Sequence, residues 1–337
     1  MTSFSNHNNQ TYKAIVTEEI KPGVFVSSLK EKKISDLPEG EVLIKVKFSG
    51  LNYKDALSAS GNKGITRKYP HTPGIDSAGT VVESTGNFFK AGDEVIVCGY
   101  DLGMNTSGGF AEFIRVPEKW VVMKPEGLSL KECMIIGTSG FTAASAIFEF
   151  MKHDIKPDSG KILVTGATGA VGSMAVAMLS AAGYQVVAST GKKEAEQFLL
   201  KIGAAEIIDR SILNDKSEKA LLPARWMAAL DTVGGATLST VLRSTMERGI
   251  VCNCGMLASA TLDVSVFPFI LRAVRLIGIA AAETPMPRRL EIWKLISEKL
   301  ISEHLHHISR SISLAEVPEE LNRMLEAGQT GKIIVEL

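Results

Sequence analysis

Cysteine is scarce in this sequence: Cys98, Cys133, Cys252 and Cys254 are the only four in 337 residues, with no C-x-x-C pair and no histidine at ligand spacing. That excludes a disulfide framework and argues against structural zinc. Cys252 and Cys254 stand two apart in a strand-like run, so alternation puts their side chains on one face; all four read as reduced core thiols. Net charge is absent as well, with 37 basic against 37 acidic residues. Without a dense Lys/Arg run carrying interleaved aromatics, nucleic acid and anionic membrane are poor partners. The chain also lacks an uninterrupted apolar run of about eighteen residues and a charged-then-apolar start, so a cytoplasmic protein is expected. No internal repeat or low-complexity segment is present. Only the start lacks a periodic apolar face, and residues 1–11 are expected to form a flexible leader. His304, His306 and His307 read as surface residues near a helix end.

What is present is an ordinary globular composition, 45% hydrophobic and 22% charged, on a chain long enough for two domains. Its most informative stretch is Lys161-Ile-Leu-Val-Thr-Gly-Ala-Thr-Gly-Ala-Val-Gly172. A buried strand ends in a glycine turn and a helix opens at Ala170. Gly166, Gly169 and Gly172 supply a tight turn, close backbone approach to phosphate and close helix-to-strand packing, and the helix start offers N–H groups to an anion. Thr168, Gly169, Ala170 and Val171 are therefore the expected pyrophosphate contacts. An ordinary strand-to-helix turn has the same look, but here a small-residue helix, Gly183 and a second apolar strand, Val186 to Ser189, complete a βαβ unit.

The residue closing that second strand selects between the two nicotinamide cofactors. No Asp or Glu stands there. Ser189, Thr190, Gly191, Lys192 and Lys193 offer hydroxyls, a glycine N–H and cations where a carboxylate would repel a 2′-phosphate. NADPH is the expected cofactor, the alternative for either lysine alone being a solvated charge at a helix start.

From Tyr12 to about Leu130 short alternating runs such as Val42 to Phe48, punctuated by Pro-Gly and Gly-Asp pairs, predict a β-barrel-like domain. Six buried strands alternating with helices follow: Ile162 to Thr165, Val186 to Ser189, Glu206 to Ile208, Met227 to Asp231, Ile250 to Cys254 and Leu276 to Ala280. The fold class is therefore α/β, a doubly wound parallel six-stranded sheet beside a β-rich domain. Helices are expected over about Arg288 to Leu300 and Leu314 to Ala327, then a strand over Gly331 to Leu337. The boundaries read as 12–130 with 283–337 for the β-rich domain and 131–282 for the dinucleotide domain.

Five motifs in order, Leu51-Asn-Tyr-Lys-Asp-Ala-Leu57, Pro73-Gly-Ile-Asp-Ser-Ala-Gly79, Gly108-Gly-Phe-Ala-Glu112, Gly137-Thr-Ser-Gly-Phe-Thr-Ala143 and Val164 to Gly172, carry a resemblance. The chain resembles the medium-chain dehydrogenase/reductase superfamily, specifically its zinc-free quinone oxidoreductase branch and acrylyl-CoA reductase-like group. The likeness implies a GroES-like catalytic domain, a Rossmann domain and a homodimer joined through Leu276 to Ala280. Zinc-dependent relatives place a Cys early and a His-Glu pair after the proline-glycine turn. Here Asn52 and Tyr53 stand near the first position, and Gly74, Ile75 and Asp76 at the second, so no metal ligand is expected. Without a Lewis acid, alcohol oxidation loses its means of stabilising an alkoxide. Reduction of an electron-poor double bond needs hydride delivery, donors for the enolate oxygen and an acid for the α-carbon.

Tyr53 is the first candidate for that acid, the alternative being a packing or cofactor-contact residue with water as proton donor. Asn52 and Asp55 are candidates to orient Tyr53 or the substrate, and the resemblance places this loop at the nicotinamide end of the cofactor. Lys54 reads as a solvated neighbour and Asp76 as structural. Thr142 resembles a nicotinamide-contacting hydroxyl or else caps a helix. Arg210 resembles a clamp on the adenosine phosphate or else is a surface cation. Leu257 follows the strand end where, as the resemblance implies, the nicotinamide lies against backbone, and Lys332 is a further cofactor candidate. The reading is an NADPH-dependent reductase of a short enoyl-CoA thioester such as acrylyl-CoA. Quinone reduction leaves the same trace, and a crystallin-like structural protein is the reading of another class. A short-chain dehydrogenase, suggested by Thr165-Gly-x-x-Gly, fails on the missing Tyr-x-x-x-Lys.

Overall fold

The computed structural model describes residues 9–326 and 329–337. The expected leader lies outside the described residues as far as Asn8, and its last residue, Thr11, already begins the first strand. The elements of the first half are β1 (Thr11–Lys21), β2 (Val24–Lys33), β3 (Val42–Leu51), α1 (Tyr53–Ala59), β4 (Asp76–Ser84), β5 (Glu94–Cys98), β6 (Phe113–Val116), β7 (Val122–Met123) and α2 (Leu130–Lys152). Then come β8 (Ile162–Val164), α3 (Ala170–Ala181), β9 (Val186–Thr190), α4 (Glu196–Lys201), β10 (Glu206–Asp209), β11 (Trp226–Asp231), α5 (Gly235–Arg243), β12 (Thr245–Asn253), α6 (Phe267–Arg272) and β13 (Arg275–Gly278). The chain closes with α7 (Met286–Leu295), β14 (Ser309–Ser313), α8 (Val317–Leu325) and β15 (Lys332–Glu336). The expected helix end at Ala327 falls outside the described residues.

Two compact units result, one of Met1–Thr138, Ala282–Leu290 and Ser309–Leu337, the other of Ser139–Ala281 and Glu291–Ile308. Sequence reading placed 131–138 with the dinucleotide domain and all of 283–337 with the β-rich one. Both assignments change. The first changes because α2 breaks at Gly137, which holds φ 45° and ψ −155°, so its opening turns stay with the β-rich unit. The second changes because Ile292, Trp293, Ile296 and Leu300 give residues 291–308 an apolar face, and the Trp293 ring lies 6.0 Å from Phe141 in the second unit.

In the first unit a seven-stranded sheet runs β14-β15-β3-β4-β5-β7, with β6 also paired to β3. Alternation along β3 buries Val42, Ile44 and Val46 against Val81, Val95, Val97 and Ile114, each burial contributing about 1.5–3 kcal/mol. The antiparallel register of β15 on β3 matters for the site, because Ile333 opposite Leu51 sets Lys332 across from Asn52.

The second unit is the doubly wound sheet expected, six strands ordered β10-β9-β8-β11-β12-β13. Its central strands β9, β8, β11 and β12 are covered on both faces, which explains their apolar runs, whereas the edge strand β13 is largely exposed. Val187, Leu163, Ala229 and Val251 sit side by side across β9, β8, β11 and β12 in one buried cluster. Strand order reverses between β8 and β11, the switch point where such sheets bind ligands beyond their carboxyl ends. By length and composition α2 is long and apolar enough to cross a membrane, yet 83% of its most apolar stretch is buried in the protein. It is a core helix.

Candidate active site

The glycine turn closes on itself. Gly169 N–H donates to the Gly166 carbonyl at 3.0 Å, and Ala167 N–H reaches Ser189 O on β9 at 3.1 Å. Gly166 takes φ +57°, which favours glycine. A Cβ on Gly172 would lie 2.3 Å from Gly166 O and 2.7 Å from Ala167 Cα, so this glycine is demanded by packing of α3 on the turn. Gly169 is different. Its φ of −72° suits any residue, and a Cβ there would meet only Gly166 O at 3.4 Å. Nothing in the chain requires a glycine at 169. Next along the chain are the first N–H groups of α3, Ala170 and Val171, which have no carbonyl four residues back within the helix. Thr168 beside them is buried, while Ala170 and Val171 are half-buried. The residues present fit a pyrophosphate.

At the adenosine end the structure moves the polar terminus. Ser189 is 2% exposed, inside β9, and the strand runs on through Thr190. Gly191 and Lys193 are the exposed residues, and Thr190 Oγ1 accepts from Lys192 N–H at 3.0 Å. Arg210 lies directly over Gly191, since a Cβ on that glycine would come within 2.5 Å of the guanidinium Nε. Gly191 and Arg210 thus form one cationic shelf, a juxtaposition that sequence separation concealed. The neighbouring Asp209 carboxyl is held below its usual range by the Ser211 hydroxyl and backbone N–H, which tie it into the local turn.

At the switch point itself, Thr165 Oγ1 donates to Asp231 Oδ1 at 2.7 Å, and Asp231 Oδ2 accepts from Gly234 N–H at 2.7 Å and Asn253 Nδ2 at 2.8 Å. One buried carboxyl therefore ties the ends of β8, β11 and β12 together. Burial pushes its pKa up, against these donors. Sequence reading missed Asp231; an acidic residue closing an otherwise apolar strand was the available signal. Leu257 follows in the loop after β12 and is 76% exposed. Thr142 is buried in α2, five residues past the break at Gly137 and so beyond a capping position. All four thiols are free; burial pushes Cys133 and Cys254 up to about 12, and Cys254 is half-buried, not a core residue.

In the β-rich unit the Asn52-Tyr-Lys-Asp55 loop opens α1, with Asn52 as N-cap. Tyr53 is 51% exposed. Its neighbours are turned inward. Asp55 is fully buried and accepts from Asn52 N–H at 2.7 Å, Ile75 N–H at 2.9 Å and Gly74 N–H at 3.2 Å. Burial foremost, then Asp76, raises its carboxyl to about 7, opposed by the Asn52 and Ile75 N–H groups and by Lys332. Asn52 Nδ2 donates to Gly50 O at 2.9 Å and Asp76 Oδ2 at 2.8 Å, and its Oδ1 accepts from Lys332 Nζ at 2.7 Å.

Asn52 and Asp55, expected as candidates to orient Tyr53 or the substrate, commit their side chains to the protein's own groups and hold the loop that carries Tyr53. Lys332, taken as a cofactor contact, is 1% exposed and paired with Asp76 at 3.3 Å. Asp76 also accepts from Thr138 N–H at 3.0 Å and Thr138 Oγ1 at 2.6 Å. A charge within each of two apolar strand starts, Gly-Ile-Asp76 and Lys332-Ile-Ile-Val, was the sequence signal for this pair.

Two family models match the chain: Alcohol dehydrogenase GroES-like domain over residues 38–126 and Zinc-binding dehydrogenase over residues 170–298. YhfP of Bacillus subtilis, named as a quinone oxidoreductase, is 42% identical over 97% of this chain and 99% of its own. Its crystal structure with NAD bound is similar with a TM-score of 0.95 at 41% identity, over 98% of this chain and 100% of that one. Acrylyl-CoA reductase AcuI of Ruegeria pomeroyi is 36% identical over 96% of this chain and 98% of its own. The crystal structure of Escherichia coli K-12 YhdH with bound NADPH gives a TM-score of 0.92 at 39% identity, over 96% and 99% of the two chains. Despite the second family model's name, no three His, Cys, Asp or Glu side chains gather at a metal-binding distance among the described residues. Near the positions that zinc ligands take in the zinc-dependent relatives stand Asn52 and Asp76, which Lys332 joins from β15. The chain therefore belongs to the medium-chain dehydrogenase/reductase superfamily of oxidoreductases, in its zinc-free quinone oxidoreductase branch.

Proposed function

We propose that the protein reduces the carbon–carbon double bond of a short enoyl-CoA thioester, acrylyl-CoA being the simplest, with NADPH as reductant. Relatives named acrylyl-CoA reductases, 36% and 39% identical over at least 95% of the chain, support the substrate class. The NADPH held by YhdH, together with the Gly191–Arg210 shelf, supports the cofactor. When bound, NADPH supplies a hydride to the β-carbon.

The chain's own residues do the rest. The Gly169 space and the α3 N–H groups hold the pyrophosphate, and Arg210, Lys193 and Thr190 take the 2′-phosphate in charge-assisted hydrogen bonds. Hydride addition leaves an enolate on the substrate, and its α-carbon must then gain a proton. Tyr53 donates it. The single observation that carries this assignment is a half-exposed phenol set on a loop whose flanking side chains, Asn52 and Asp55, are locked in the interior. Protonation at carbon is slow and benefits from a fixed acid, whereas a reduced quinone protonates on oxygen from water. A positioned general acid contributes about 10²–10⁴-fold. Tyr53→Phe is therefore expected to lower kcat with acrylyl-CoA about 100-fold and to leave any quinone rate unchanged. An unaltered acrylyl-CoA rate would remove the acid role.

Quinone reduction is the second reading, favoured by the name of YhfP at 42% identity. For assembly, a homodimer is supported by the edge position of β13 and by Val266, Phe267, Ile270 and Leu271, all exposed apolar residues on α6 or next to it.

A further inference from the structure

We infer that Lys332 is a positioning residue for the Asn52–Tyr53 segment, holding the reactive loop from the last strand of the chain. The inference rests on the reading of Tyr53 as the group presented for chemistry. Lys332 lies across from Asn52 in the β15–β3 register, and its ammonium bonds Asn52 Oδ1 at 2.7 Å and Asp76 Oδ2 at 3.3 Å. Neither side chain of the Lys332–Asp76 pair is exposed at all.

The room for this ammonium is built by two glycines. A Cβ on Gly50 would stand 3.0 Å from Lys332 Cε and 3.1 Å from its Nζ; one on Gly137 would stand 2.5 Å from Asp76 Oδ2 and 3.5 Å from Lys332 Nζ. The break in α2 at Gly137 also turns Thr138 N–H and Oγ1 onto Asp76. Backbone irregularity, glycines and hydroxyl thus converge to keep one cation in the interior. A packing need alone is met as well or better by apolar residues of similar volume, because desolvating an ion pair costs more than its attraction commonly returns.

What the cation adds is orientation. An amide has one acceptor and one donor end, and Lys332 has only donors to offer. The ammonium therefore fixes Asn52 Oδ1 toward itself, which directs Nδ2 onto Gly50 O and Asp76. Asp55 clamps the backbone N–H of the same residue from the other side. Tyr53 is the next residue in the chain, so its position is set by two buried anchors on Asn52.

The test compares Lys332→Met with the double variant Lys332→Met/Asp76→Asn, which removes both charges and spares the fold an unpaired buried carboxylate. Each is assayed for NADPH dissociation constant and for kcat with whichever acceptor the wild type reduces, alone and combined with Tyr53→Phe. The double variant is expected to keep its NADPH affinity within twofold and lose at least tenfold in kcat. Its loss should also fail to multiply with that of Tyr53→Phe, since both disable one group. A kcat within twofold of wild type overturns the inference, as does weakened NADPH binding with kcat retained; where Tyr53→Phe itself lowers kcat, losses that multiply fully overturn it too. Tyr53→Phe alone reports on the acid reading: were it silent while the double variant loses kcat, the acid falls and the positioning of the loop stands.

Discussion

Replacing Gly169 by Ala separates the needs of the fold from those of the ligand. At Gly172 the added methyl would sit 2.3 Å from a carbonyl oxygen and 2.7 Å from a Cα, neither of which can rotate away. At Gly169 it meets a single oxygen at 3.4 Å, with φ at −72°. There the change gains about 0.4–1 kcal/mol from a less flexible unfolded chain and forfeits a similar amount because Ala is a poorer N-cap than Gly. Stability should hold within about 1 kcal/mol. The methyl, however, enters the open space assigned to the pyrophosphate beside the start of α3. One charge-assisted hydrogen bond to phosphate is worth about 1.5–3 kcal/mol, so NADPH affinity should fall about ten- to 150-fold. Thermal melting and a fluorescence titration with NADPH read the two quantities independently. Gly172→Ala should lower Tm sharply, and Gly169→Ala should hold Tm while losing the cofactor. Wild-type NADPH affinity in Gly169→Ala would refute the assignment of that space to the pyrophosphate.

Three further expectations follow from other parts of the molecule. Arg210→Ala should weaken NADPH about tenfold and leave NADH unchanged, measured as kcat/KM for each cofactor; equal losses would mean the guanidinium does not touch the 2′-phosphate. The Asp55 carboxyl is raised from 3.8 to about 7, so the folded state holds its proton more tightly than the unfolded chain. That contribution to stability is complete below 3.8 and lost as pH rises to about 7, at up to about 1.4 kcal/mol per pH unit. Urea melts between pH 4 and 7 should show this fall in the wild type and not in Asp55→Asn. Ile270→Asp, on the exposed face of α6, should give a monomer in light scattering where the wild type gives the proposed dimer; a dimeric variant would move the proposed interface elsewhere.

Much of the architecture was legible because parallel strands covered on both faces have no choice but to be apolar. Ile162–Val164, Val186–Thr190 and Trp226–Asp231 announce themselves that way, and the Gly166–Gly172 turn marks where the helix opens. Residues 291–308 were misassigned since an apolar helical face does not say which neighbour it will cover. The site was legible in part. Local pattern located the loop at Tyr53 and the turn at Gly169. It did not show what anchors Asn52, Asp55 and Lys332, because their partners lie off along the chain, 280 residues apart for Lys332 and Asn52. Ser189 was misjudged for a smaller reason: the strand runs one residue further than its apolar pattern, which carries Ser189 inside and leaves Gly191 at the surface.

The most direct measurement is the initial rate of NADPH oxidation by the purified protein with acrylyl-CoA, crotonyl-CoA and simple quinones in parallel, with NADH as the alternative reductant. The account expects acrylyl-CoA with NADPH to give the highest kcat/KM and propionyl-CoA as product. Turnover of quinones alone, or equal turnover with NADH, would contradict it.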